Sequence, residues 1–195
     1  TSIDDFWVVG GNPLTGPAEL AQVQNRQAIA PDLGPLVAQL PKVLFKVTGV
    51  GDELVIVGAN GTVLWRDAGG AFRLEHAALS DPLFTVSAVN SQNIWAVGGT
   101  GQALALHFDG QHWVDKSPAD LPNLFGVSAT RSETIVGGNL GALAQWQSGK
   151  WQVIDTAIEE TFHSVWLDGH GGAWAVGGNV LEPNKAAWRG VIWQR

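Results

Sequence analysis

One short phrase recurs five times along the chain: FWVVGGN (6–12), LVIVGANG (54–61), IWAVGGTG (94–101), TIVGGNLG (134–141) and AWAVGGNV (173–180). The first glycines of the copies, Gly10, Gly58, Gly98, Gly137 and Gly177, follow one another at a step of about 40 residues. Branched and aromatic residues ahead of each glycine favour an extended strand, and the glycines favour an abrupt reversal at its end. A unit of that size cannot bury its apolar face alone. Stacked copies bury it against one another, so the repeat constrains the architecture before any other reading.

The third copy shows the unit most fully. LFTVSAV (83–89) alternates apolar and small polar residues, as a half-buried strand does. The turn Asn90-Ser91-Gln92-Asn93 leads into IWAVGG, Thr100-Gly101 reverses the chain into QALALHF (102–108), and Asp109-Gly110 leads to HWVDK (112–116). That makes four strands, A to D, in meander order. The second and fourth copies align with it over 44–77 and 124–155, and the fifth supplies FHSVWLD, AWAVGG, AAWRG and VIWQR. The first copy lacks a strand A, opening on IDDFWVVGG, while its LAQVQN (20–25) matches LAQWQS (143–148) and serves as strand C. The expected fold is all-β: a β-propeller of about five four-stranded blades, the first without its innermost strand. Either the ring closes with that short blade, or the chain is part of a larger propeller. The blades fall at roughly 1–42, 43–81, 82–121, 122–159 and 160–195 of one domain.

Composition narrows the function classes. Net charge is −7 with no basic patch, which disfavours nucleic acid and anionic membrane as partners. No apolar run approaches the ~18 residues of a membrane span, and no signal-type apolar segment stands at Thr1. The absence of cysteine excludes disulfides and thiolate metal sites. Ten Trp and seven Phe stand beside no Tyr and no Met. A buried Trp removes about 200 Å² from water, a gross ~5 kcal/mol, which suits aromatic seams between radially packed sheets.

At the C–D turns the chain resembles the BNR or Asp-box propellers, whose motif is S-x-D-x-G-x-x-W. WRDAGGAF (65–72) keeps Asp67, Gly69 and Phe72, FDGQHW (108–113) keeps Asp109, Gly110 and Trp113, and QSGKW (147–151) keeps Gly149 and Trp151. The phrase WAVGG followed by FDG and Trp is also similar to the propellers of photosystem assembly factors and to bacterial surface propellers. The likeness covers blades two to five. It implies the fold and a binding or assembly role. Sialidases of this type attack with a tyrosine, which this chain lacks.

Candidate site residues gather where strand A begins. Asp81 and Glu160 each stand two residues before the first apolar position of strand A, with Asp120 and Glu159 nearby. Converging, they would accept hydrogen bonds from a ligand or attract a cation; dispersed, they cap turns. His163 takes a place that Phe45, Phe84 and Phe125 hold in the other blades, a local inconsistency of the kind that marks function, or else a satisfied structural histidine. Trp166 replaces Thr48, Ser87 and Ser128, and is either a stacking platform or core. Trp7, Trp95 and Trp174 share one strand B position and are expected to pack between blades, while Trp113, Trp151 and Trp193 open strand D. The histidines His107, His112, His163 and His170 form no metal-ligand motif.

These readings converge on a non-catalytic binding module, secreted, periplasmic or on a cell surface, that recognises a protein or carbohydrate ligand with Asp81, Asp120, Glu159, Glu160, His163 and Trp166. No cofactor or metal is expected. One alternative is a glycan-cleaving hydrolase using two of the four carboxylates, and another is an assembly or chaperone-like scaffold.

Overall fold

The described residues form eighteen strands, and within each sheet strands successive in the chain are neighbours. The computed structural model describes residues 5–76, 80–179 and 188–195. Contacts divide the chain into two units, Thr1–Val86 and Ser87–Arg195.

In the first unit, β1 (Asp5–Gly10), β2 (Glu19–Gln24) and β3 (Gln27–Ile29) form one antiparallel sheet in chain order. The segment between Ala30 and Lys42, with a 3₁₀ turn at Gly34–Gln39, leads to β4 (Leu44–Val50), β5 (Glu53–Gly58), β6 (Thr62–Arg66) and β7 (Phe72–His76), again a meander. Among the described residues the first sheet therefore begins at the glycine phrase, with no strand A, as the repeat predicts. Trp7, Val9 and Leu20 pack against Leu44, Ile56 and Leu64 of the next sheet, with Leu33, Leu36 and Leu40 closing the cluster. Each such aliphatic side chain stabilises by about 1.5–3 kcal/mol when fully buried.

The unit boundary falls inside β8 (Leu83–Asn90), which joins β9 (Asn93–Gly98), β10 (Leu104–Phe108) and β11 (Trp113–Asp115) in a four-stranded sheet. The second unit continues with β12 (Leu124–Ala129), β13 (Thr134–Gly138), β14 (Leu143–Gln147) and β15 (Lys150–Val153), then β16 (Phe162–Leu167), β17 (Ala173–Asn179) and β18 (Arg189–Gln194). Two seams hold it. Trp95, Val97 and Ala105 meet Leu124, Val127 and Val136. Ile135 and Leu143 meet Phe162, Val165 and Ala175. Alternation along a strand explains the pattern: in β13, Val136 faces back toward the third sheet and Ile135 faces forward to the fifth.

The inner strands share a hydroxyl device. Ser87 Oγ accepts from the backbone N–H of Ala129 at 3.2 Å, and Ser128 Oγ accepts from that of Leu167 at 3.1 Å. A short polar side chain thus ties β8 to β12 and β12 to β16, and Trp166 stands where the series would continue.

Two details differ from the sequence reading. Strand A pairs Leu44 with Gly58, Leu124 with Gly138 and Phe162 with Gly177, each followed by a bulge. The counterpart of Gly58 is therefore Gly138, one residue beyond the first glycine of that copy. In the fifth sheet, the segments expected as strands C and D run as the single strand β18, paired with β17 from Arg189 to Gln194. Gly190 stays outside the left-handed region, so no hairpin forms there, and Trp193 lies on the third strand instead of opening a fourth. Ala186 and Ala187 of that segment lie outside the described residues.

Candidate functional site

The D–A and B–C connections of the second unit lie at one end of its sheets, because successive antiparallel strands turn at alternate ends. Two grooves sit on this rim. One, of about 530 Å³, runs past Gln102, Ser117 and Asp120. The other, of about 410 Å³, is lined by Leu140, Val153, Ile154, Ala157 and Glu159. Leu121 and Pro122 line both, so the two are neighbours across one short wall.

A hydrogen-bonded hub fixes that wall. Asn139 donates its amide to Asn123 Oδ1 at 2.7 Å and accepts from the Thr161 hydroxyl at 2.9 Å, joining two D–A loops through one B–C turn. Gly141 N–H donates to the Glu160 carbonyl at 3.0 Å, and Ala103 N–H donates to the Leu121 carbonyl at 2.9 Å. Leu140, held at φ 54°, is 75 % exposed at the tip of this turn. A leucine in the left-handed region costs of order 1 kcal/mol, and here it presents an apolar side chain to solvent.

The structure distributes the sequence-derived candidates unevenly. Asp120 (φ 60°) and Glu159 are exposed on the two grooves. Glu160 is half-buried beside them and ion-paired to Arg189 at 3.8 Å. His163 is exposed with its ring 5.7 Å from Phe125, so it keeps company with the aromatic series it interrupts. Trp166 is 58 % exposed, and its ring lies tilted 4.8 Å from that of Trp174. Asp81 belongs to the first unit, half-buried ahead of β8. Among the described residues no group of three His, Asp or Glu side chains is arranged to hold a metal ion.

Sequence reasoning missed the cleft at the opposite end of the second unit. It has a volume of about 330 Å³ and is formed by Asn93, His107, Thr130, Glu133 and Trp146 over Trp95. His107 Nε2 lies 3.1 Å from Asn93 Oδ1, and its ring stacks 4.6 Å from Trp95. Burial holds the His107 imidazole below its ordinary range, Lys116 adds to that, and the nearby Asp109 carboxylate opposes it. Arg195 pairs with Glu133 at 3.0 Å and donates to Gln145 Oε1, closing one side. The sequence offered only one sign of this cleft: polar A–B turns beside strand B aromatics.

No protein-family model matches the chain, and no curated protein matches it. Solved structures do. YCF48 bound to D1 peptide is 22 % identical with a TM-score of 0.55, the match covering 75 % of this chain and 52 % of that one. The N-terminal domain of Nup159 is 14 % identical with a TM-score of 0.54, covering 91 % of this chain and 52 % of that one. The chain spans about half the length of the solved structures it matches. With its meander sheets and glycine-marked second strands, the protein has a β-propeller fold.

Proposed function

We propose that the protein is a non-catalytic binding module that takes a segment of a protein partner on the D–A and B–C rim of its second unit. The observation that carries this reading is the pair of adjoining grooves, in which exposed Leu140 and the Leu121–Pro122 wall alternate with Asp120 and Glu159. Apolar patches edged by one sign of charge suit a segment carrying aliphatic residues and Lys or Arg. YCF48, whose structure carries a D1 peptide, supports a propeller in this role, and the Asp67 and Asp109 turns support kinship with the Asp-box group. A hydrolase would need two carboxylates on one sugar, whereas Asp120 and Glu159 line separate grooves.

Peptide display against the intact chain tests the proposal. Selected peptides should combine apolar and basic residues and lose affinity by roughly tenfold or more in an Asp120→Lys/Glu159→Lys variant. Binding that ignores these changes and Leu140→Asp overturns it. Exposed Trp166 favours a second reading, a glycan stacked on its ring. A glycan array on which wild type binds and Trp166→Ala does not would support that reading over the first.

A further inference from the structure

The fourth and fifth sheets show how the chain satisfies one polar pair between neighbouring sheets. Glu133, at the start of the glycine phrase that ends in Gly138, accepts from Gln145 Nε2. The Arg195 guanidinium, just past β18, donates to both: 3.0 Å to Gln145 Oε1, and 3.1 and 3.0 Å to the two Glu133 oxygens. In the third sheet Asn93 holds the place of Glu133, and His107 stands opposite Trp95 as Gln145 stands opposite Ile135. Asn93 and His107 are likewise bonded to each other, at 3.1 Å. What faces them differs. Trp146 is the counterpart of Arg195, following Gln145 as Arg195 follows Gln194. Its indole carries one N–H where a guanidinium carries five, and it makes no hydrogen bond to either member of the pair. Here the seam opens as the cleft of about 330 Å³, every wall of it drawn from residues 92–148 of the second unit.

Three groups of this cleft keep hydrogen-bonding capacity that no described residue uses. Thr134 lines it at 3 % exposure, and its hydroxyl makes no hydrogen bond to the described residues. Burying a hydroxyl without a partner is unfavourable, a cost that a bound polar group would remove. With His107 Nε2 donating to Asn93 Oδ1, the imidazole, which burial keeps neutral, retains a bare acceptor at Nδ1, and Asn93 retains its amide donors. The carboxylate of the lining, Glu133, is already paired with Arg195. Half-buried Trp146 adds apolar ring surface.

We propose that the cleft between the third and fourth sheets binds one neutral sugar residue, its hydroxyls meeting Thr134, His107 and Asn93 and its C–H face lying on Trp146. A sugar hydroxyl donates and accepts at once, which matches an acceptor, a donor and a hydroxyl set side by side. Its rigid ring has an apolar face for the indole. The volume lies at the lower end of the range for small-molecule sites, room for one ring. This site is separate from the rim grooves and from Trp166, and stands without either reading.

The methyl glycosides of glucose, galactose, mannose, xylose, fucose and N-acetylglucosamine, titrated into the intact protein and followed by its indole N–H resonances, test this. At least one should bind saturably and shift the signals of Trp95 or Trp146, and Trp166→Ala should bind it equally well. Thr134→Val is the decisive variant, since it keeps the side chain's outline and deletes the unpartnered hydroxyl. Its unfolding midpoint should not fall below wild type, while its affinity for that glycoside should drop roughly tenfold. The proposal is overturned if none of these glycosides binds saturably, or if Thr134→Val binds as tightly as wild type or is markedly less stable. Binding lost in Trp166→Ala, or seen only with the charged methyl glucuronide, equally overturns it.

Discussion

Trp95 and Trp174 occupy the same repeat position in the same unit and meet opposite fates. Trp95 is 3 % exposed, walled by His107, Trp146 and Trp151 with centroids 4.6–5.7 Å away. Trp174 is half-buried with its ring 4.8 Å from that of Trp166, and on the same face Val176 is 42 % exposed where the equivalent Val97 is fully buried. The repeat therefore specifies a side chain, and the neighbouring sheet specifies what it does. A forward-facing aromatic is core where a following sheet lies on it, and stays half-buried where no following sheet stands among the described residues.

The largest test of this contrast is Trp95→Ala, which should destabilise by about 3–5 kcal/mol in denaturant titration, since it opens a cavity in a closed seam. Gly138→Ala should cost about 1–3 kcal/mol, because its Cβ would fall against the Asn123 carbonyl, while Gly10→Ala should leave the midpoint unchanged. Trp166→Ala should move stability by less than about 1 kcal/mol, as expected at an exposed site. A loss comparable to that of Trp95 would show the fifth sheet to be covered in solution.

The smallest effect concerns pH. Folded His107 holds its proton less tightly than the unfolded residue does, so the unfolded chain binds more protons near neutrality. Stability from this group is complete above the ordinary histidine value of about 6.5 and is lost as pH falls below it. Unfolding midpoints measured from pH 7.5 to 5 should decline less steeply in His107→Gln than in wild type.

The sheets, their meander order and the missing first strand were legible because glycine and branched residues encode turn and strand locally. The phase of the fourth copy was not: TIVGG is one residue shorter ahead of its glycines, and the bulge that aligns Gly138 is set by pairing with Leu124. β18 was divided wrongly because Gly190 looks like a hairpin glycine, and only its pairing with β17 shows that it continues the strand. The grooves holding Asp120 and Glu159 depend on Asn139 joining residues 16 and 22 positions away, contacts no local pattern announces. Trp166 stands out in the sequence as the residue that departs from Thr48, Ser87 and Ser128, since a substitution inside a repeat is visible without coordinates.

The turn at Asp109–Gly110 has a consequence for chemical ageing. An Asp-Gly bond degrades when the backbone nitrogen of the glycine attacks the protonated aspartyl carboxyl and closes a succinimide. Here Asp109 Oδ1 accepts from the N–H groups of Gln111 and His112 at 2.9 and 2.8 Å, and those bonds hold the group ionised to lower pH. Asp168, before Gly169, is restrained in the same way by His170 and Gly172. Charge and direction together oppose ring closure, so isoaspartate should accumulate at these two bonds chiefly in molecules that have first come undone, making it a lasting chemical record of unfolding.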